Sequence, residues 1–385
     1  MSEAPVFIAG AGVISAIGRG KAQSLDALEN GRAGMGPMQR LQSIHPLPVA
    51  EVPYSNSELA RQSGLPATAP RTALLSAVAA QEALADAGLP AGLRIGFISA
   101  NTIGGMDKTE FAFPNGKLRH FQYHECGSVT ELVADRLGIT HHVSTISTAC
   151  SSSANAIFFG ARLIRHGYLD AVVAGGADAL AKFTLNGFNT LMILDSEPCK
   201  PFDEHRQGLN LGEGAGYLVL VSENVARSPR ARLSGYANAN DAYHQTASSP
   251  GGQGSLQAMR EALKKANLKP GNIDYINLHG TGTQNNDISE GTAIQTLFDP
   301  EYPPMSSTKS FTGHTLGGSG GIEAVFCLMA LEGGYLYPNL RLETPMKELP
   351  FSPITTFQKG ANVRHVLSNS FGFGGNCSSL IFSKV

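Results

Sequence analysis

One pattern occurs twice in this chain and narrows the folds open to it: a reactive side chain, then small residues, then an apolar helix. The first copy spans Ala149 to Arg165 and the second Gly313 to Leu331. Between them, at Ser222 to Arg232, charge and proline interrupt the pattern, so two related halves are expected, 1–228 and 229–385. Strand-like and helix-like segments alternate on either side, which indicates an α/β protein with largely buried sheets. Strands are expected at Val6–Ala9, Arg94–Ser99, Ala171–Ala174 and Tyr275–Leu278. Helices are expected at Arg71–Ala87 (stopped by Gly88), Leu256–Ala266, Ser289–Phe298 and Gly321–Leu331.

Charge excludes several functions. With 29 Lys+Arg against 31 Asp+Glu and no basic cluster, the chain carries no electrostatic footprint for nucleic acid or an anionic membrane. The apolar run Ala171–Ala181 contains Asp178 and several glycines, so it does not read as a membrane span. The apolar N-terminus follows Glu3 and is punctuated by Gly10, Gly12 and Gly18, which reads as a first strand and turn and not as a signal peptide. Five widely spaced cysteines without a CxxC point to a reducing, cytoplasmic setting with no disulfide framework and no metal site.

Cys150 is the residue with most chemistry in its surroundings. It sits where β-branched Val143–Thr148 meets the helix-like Ala154–Arg165, a junction that turns sulfur toward unpaired N–H groups and favours thiolate. On its own it fits a nucleophile or a buried structural cysteine equally well. His279 ends a strand-like segment and opens Gly280-Thr281-Gly282-Thr283, and His314 follows Lys309-Ser310-Phe311-Thr312-Gly313. Either histidine alone fits a surface or core role, but both framed by glycine and threonine at strand ends fit catalysis. The C-terminal Ser370-Phe371-Gly372-Phe373-Gly374-Gly375 suits a hairpin turn that also aims backbone N–H groups at an oxyanion. Gly10-Ala11-Gly12 lacks the further glycine of a nucleotide fingerprint, and no P-loop lysine motif exists.

Six ordered blocks then carry a resemblance: AGAGVISAIG at the N-terminus, TACSSSANAI around Cys150, Pro201–Gly216, Leu278–Thr283 with Asp287 and Glu290, Ser307–Ala324, and Asn369–Gly375. The chain resembles the β-ketoacyl-acyl carrier protein synthases of the KAS I/II branch, in the thiolase-like superfamily. The resemblance implies two pseudo-duplicated halves in a five-layered αβαβα arrangement. It implies an acyltransferase with Cys150 as nucleophile, the N–H groups of Cys150 and Phe373 as oxyanion hole, and His279 and His314 as donors to the enolate formed from malonyl-carrier protein. Lys309 would tune His314 and Glu323 would organise the same loop. Thr281, Thr283, Thr246 and Phe371 would contact the pantetheine arm or line the channel, and Ile103 would gate the acyl pocket. No separate cofactor is implied, because phosphopantetheine arrives on the acyl carrier protein. Partners would be that acidic protein, received by exposed Arg61, Arg71 and Arg206, and a second copy or a chain-length-factor-like subunit.

Departures from the family pattern bear on substrate choice. Gln207 stands where an aspartate is usual, Asn376-Cys377 replaces Thr-Asn, and segment 106–137 hardly matches. His120, His124 and Cys126 in that segment are read as structural or interfacial. These features point to a specialised type II polyene or polyketide system, with housekeeping fatty-acid elongation as the alternative. A thiolase using Cys377 as acid/base is a competing reading, countered by the paired histidines and Lys309. A non-catalytic chain-length factor is countered by the presence of Cys150, His279 and His314.

Overall fold

The computed structural model describes residues 4–112 and 123–385, so His120 lies outside the described residues. The first half contributes β1 (Val6–Ser15), β2 (Ile95–Ala100), β3 (His142–Ile146), β4 (Ala171–Asp178) and β5 (Gly214–Ser222). The second contributes β6 (Ala231–Asn240), β7 (Tyr275–Asn277), β8 (Met305–Ser306), β9 (His365–Gly372) and β10 (Asn376–Ser383). The strand order is β3-β2-β4-β5-β1 in one half and β8-β7-β9-β10-β6 in the other. Strand sense repeats too: β3, β2 and β4 run parallel, as do β8, β7 and β9, while the remaining neighbours within each half are antiparallel. Only Phe7–Arg232 and Ile8–Ala231 pair β1 with β6.

Six helices complete five layers: α1 (Arg71–Ala87), α2 (Cys126–Leu137), α3 (Ser152–Arg165), α4 (Gln253–Ala266), α5 (Gln284–Phe298) and α6 (Ser319–Gly333). α1 and α2 cover one outer face, α4 and α5 the other, and α3 and α6 lie between the two halves of the sheet. The architecture is therefore the expected αβαβα stack. α6 is buried almost from end to end, as a helix with protein on every side must be. α1 ends at Gly88 in the left-handed region, as the sequence predicts.

β1 runs further than expected, to Ser15, because its glycines are not turn residues. A Cβ on Gly10 would meet Ala83 O and Ala87 N at 2.5 Å, and one on Gly12 would meet Ala79 O at 2.1 Å. These glycines seat α1 directly on the strand, and glycine does not by itself end a strand. The central layer is seated in the same way: a Cβ on Gly321 of α6 would lie 2.3 Å from Gly216 O of β5. Gly321→Val should therefore force helix and strand apart and lower unfolding free energy by about 1–3 kcal/mol or more, read from the denaturant midpoint. An unchanged midpoint would show that the contact can relax.

Candidate active site

The loops that follow the parallel strands gather on one edge of the sheet, where α/β proteins place their ligands. Cys150 lies in the turn between β3 and α3. Ala149 takes φ +51, outside the comfortable range for a residue with a Cβ, and this strained step places the thiol before the helix. Gly372 at the end of β9 closes on that turn, since a Cβ there would be 3.0 Å from Cys150 N. The backbone N–H groups of Phe373 and Cys150 both favour the thiolate form of Cys150.

Burial nonetheless dominates: it pushes the thiol up to about 11, against the pull of Lys309 and those two N–H groups. This corrects the expectation of a thiolate at the helix end, because removal from water outweighs the local dipoles. Alkylation of Cys150 by iodoacetamide should therefore be slow at pH 7 and rise about tenfold per pH unit toward 11. A rate that is flat above pH 7 would show a thiolate already formed.

The two histidines face each other nearly at right angles, with ring centroids 5.5 Å apart. His314 Nδ1 accepts the Leu316 N–H at 3.0 Å and lies 3.2 Å from Ser319 Oγ. An accepted N–H requires a lone pair on Nδ1, so the ring proton sits on Nε2, where it can be donated. The His314 backbone is clamped in turn, with its N–H on Asn210 O at 2.8 Å and its carbonyl accepting from Gly212 N at 3.0 Å. That assigns a task to the Pro201–Gly216 block. Burial, followed by the positive charge of Lys309, holds both rings well below the usual imidazole range, and His314 adds to the effect on His279. Both are neutral donors or acceptors at pH 7.

The loop bearing His279 is organised by carboxylates of α5. Glu290 accepts the N–H groups of His279 at 2.9 Å and Gly280 at 2.8 Å, and Asp287 accepts those of Thr281 at 3.1 Å and Gly282 at 3.2 Å. Desolvation pushes Glu290 up to about 7 despite these donors. Both carboxylates were visible in the sequence block, but their role is set by tertiary placement. Lys309 Nζ pairs with Glu323, both buried. Burial raises the Glu323 carboxyl, and Lys309 opposes the rise.

Cys150, His279, His314, Thr246, Thr281, Thr283, Phe371 and Phe373 all line one cavity of about 220 Å³. Thr283 also caps α5, accepting the Asn286 N–H at 3.3 Å. Gln207 and Phe188 share the lining, and the Phe188 ring stacks on Phe373 with centroids 5.7 Å apart. Lys309, Glu323, Ile103 and Arg61 stand behind or away from this lining; Ile103 is buried in the apolar core of the first half, and Arg61 is exposed on the helix Asn56–Ser63. His124 Nδ1 lies 2.8 Å from Thr109 Oγ1, and Cys126 opens α2. Among the described residues no cluster of His, Cys, Asp or Glu is arranged to hold a metal, and no helix is long and apolar enough to cross a membrane.

Two of the proposed docking arginines do not present a charge to a partner. Arg71 is 7 % exposed and forks onto Glu213 at 2.7–3.0 Å, and Arg206 is 4 % exposed with Asp287 at 3.7 Å. Charge in the sequence does not reveal a buried partner far along the chain. Arg71→Ala would strand the Glu213 carboxylate and should cost about 3–5 kcal/mol of stability, seen as a lowered thermal midpoint. A loss below about 1 kcal/mol is the value for an exposed pair and would contradict this assignment.

Comparison with known proteins agrees with this geometry. The family model for the β-ketoacyl synthase N-terminal domain matches residues 3–226, and that for the C-terminal domain matches 230–343. A 3-oxoacyl-[acyl-carrier-protein] synthase 2 from Synechocystis is 40 % identical over 266 residues, covering 66 % of this chain and 64 % of the relative. The enzyme of the same name from Staphylococcus aureus is 33 % identical over 331 residues, 80 % of each chain. Among solved structures, the ishigamide ketosynthase/chain length factor superposes with TM-score 0.93 at 30 % identity over 100 % of both chains. A ketosynthase in complex with its chain length factor from Xenorhabdus doucetiae gives TM-score 0.87 at 32 % identity, over 99 % of this chain and 98 % of that one. With the thiol, both imidazoles and the aimed N–H groups facing one cavity of a thiolase-like fold, the chain belongs to the β-ketoacyl synthase family of acyltransferases.

Proposed function

We propose that the chain is a decarboxylative ketosynthase that loads an acyl group on Cys150 and condenses it with malonyl-carrier protein. The observation that carries this reading is the convergence of one thiol, two neutral imidazoles and two backbone N–H groups on one cavity. In the first step Cys150 sulfur attacks the carrier thioester, the N–H groups of Cys150 and Phe373 hold the oxyanion, and the thiol proton leaves with the pantetheine thiol. In the second, malonyl-carrier protein loses carbon dioxide, and the electron pair of the broken C–C bond forms an enolate. Neutral His314, with its proton on Nε2, is a donor suited to the enolate oxygen, and His279 supplies the second ring. The enolate carbon attacks the acyl-cysteine, releasing β-ketoacyl-carrier protein and the Cys150 sulfur, which takes a proton from water.

Cys377 does not favour a thiolase: it packs with Ala258 behind Phe371 and does not itself line the cavity, and burial pushes it up to about 12. The expected partners are an acyl carrier protein and either a second copy or a chain-length-factor-like subunit. The names of two structural relatives include a chain length factor, which supports a specialised type II polyene or polyketide role. The 40 % identity to a 3-oxoacyl-[acyl-carrier-protein] synthase 2 favours housekeeping elongation as the second reading. Acylation by carrier proteins bearing saturated or polyunsaturated chains, with and without a candidate partner subunit, separates the two. All five cysteines are free, as a cytoplasmic location would keep them.

Cys150→Ala should abolish the acyl adduct in intact-mass measurement, and a persistent adduct would mean another nucleophile. His279→Ala and His314→Ala should keep acylation but lose about 10²–10⁴-fold in condensation. Full condensation in either variant would remove that ring from the mechanism, and no carbon dioxide from malonyl-carrier protein under any acyl condition would sink the reading.

A further inference from the structure

Asp178 ends β4 and is wholly buried, at 0 % exposure. Its carboxylate accepts from Thr102 N at 2.9 Å, Thr102 Oγ1 at 2.7 Å, Ile103 N at 3.2 Å and Gly317 N at 2.7 Å. Those donors come from two different loops. The first follows β2 and carries Ile103; the second runs from His314 through Leu316 and Gly317 into α6.

The second loop is where the tautomer of His314 is set. Leu316 N–H donates to His314 Nδ1 at 3.0 Å, and Leu316 adopts φ +50 to do so. A leucine is strained in that region, so something must hold the chain there. The next N–H, that of Gly317, is the one held by Asp178. Glycine permits the approach, because a Cβ at Gly317 would meet Asp178 Oδ2 at 2.8 Å and Thr102 Cγ2 at 3.0 Å. A carboxylate accepts through both oxygens and donates nothing, which matches a ring of donors; an amide in its place would turn N–H against N–H.

The other loop is fixed equally firmly. Ile103 is buried in the apolar core that also holds Val129, Val133 and Ala134 of α2, and its own N–H together with both Thr102 donors lies on Asp178. The seat is costly: desolvation pushes the Asp178 carboxyl up to about 6 in spite of its donors. A loop-to-loop contact serving packing alone is made more cheaply by apolar side chains.

We propose that Asp178 is a positioning residue that joins the Ile103 loop to the His314 loop, so that acyl-chain selection and enolate stabilisation depend on one carboxylate. This rests on the ketosynthase reading given above and on the family resemblance, which places Ile103 at the gate of the acyl pocket. Asp178 touches neither the cavity lining nor the reacting atoms and acts through Ile103 and Leu316.

The test uses the full chain with its carrier-protein substrates and two variants, Asp178→Asn and Thr102→Val, checked for folding by circular dichroism. Two quantities are read: the ratio of acyl-enzyme formation with long and short acyl chains by intact mass, and carbon dioxide release from malonyl-carrier protein. In Asp178→Asn the release should fall about 10–100-fold, the effect of a slightly misplaced catalytic group, and the chain-length ratio should move by about tenfold, while acylation by the shortest chain stays within about twofold. Thr102→Val keeps the backbone donors and loses only the hydroxyl, so it should move the length ratio and leave release unchanged. A folded Asp178→Asn protein with wild-type values for both quantities overturns the inference. If Asp178→Asn does not fold, Thr102→Val decides: a shifted length ratio supports the joining role and an unchanged one overturns it. A wild-type protein that releases no carbon dioxide overturns the ketosynthase reading and the inference together, whereas an active wild type beside unchanged variants overturns only the inference.

Discussion

Backbone meets backbone at the centre of this molecule, and the rest of the structure is arranged around that contact. α6 lies on β5 through Gly321 and Gly216, and Gly320 comes so close to α3 that a Cβ would be 3.1 Å from Ala154 N. Gly372 does the same at the Cys150 turn. A methyl group at any of these points would push apart the elements that carry Cys150, His314 and Phe373, whose alignment has to hold to a fraction of an ångström for chemistry to proceed. The glycines therefore cost conformational entropy in the unfolded chain and return it as a fixed distance between groups from opposite halves.

Close packing also removes water, and that decides the ionisation of the site. Cys150 is held as a thiol and both histidines as neutral imidazoles. A neutral imidazole with its proton on the cavity side stabilises an enolate oxygen without attracting the malonyl carboxylate into a stable ion pair, which would resist decarboxylation. Lys309 supplies a positive charge felt by both rings, but Glu323 balances it within the core, and the ammonium stays behind the lining. The charges are thus kept one layer back, on Lys309, Glu323, Glu290 and Asp178, where they orient loops.

The alternation of elements, the helix Arg71–Ala87 and the trio Cys150, His279 and His314 were legible because each rests on local pattern or on a motif with fixed order. What escaped reading depends on tertiary distance. Gly10 and Gly12 read as turn residues because a strand that seats a helix and a chain that turns both call for glycine. Arg71 and Arg206 read as surface charges because Glu213 and Asp287 lie far away in sequence. The Cys150 setting read as thiolate-promoting because dipoles are local and visible, whereas desolvation is a property of the finished fold. Asp178 drew attention only as a charge interrupting an apolar run; its four donors come from two loops more than two hundred residues apart in the chain.

The repeated strand order explains why these particular positions became functional. In each half the loop after the second strand, the turn after the third and the end of the fourth emerge at the same edge of three parallel strands. In the first half these places hold Ile103, Cys150 and Asp178; in the second they hold His279, His314 and the Phe371–Phe373 loop. The repeated topology thus supplies six equivalent positions, of which those of Cys150, His279, His314 and the Phe371–Phe373 loop line one cavity while Ile103 and Asp178 stand behind it. One half keeps the thiol and the Ile103 loop, and the other keeps both imidazoles and the Phe371–Phe373 loop. A site built in this way needs a link across the halves, because neither half holds a complete set of groups. Gly317, from the second half, donating to Asp178, at the end of a first-half strand, is such a link, and it joins the loop that carries Ile103 to the loop that orients His314.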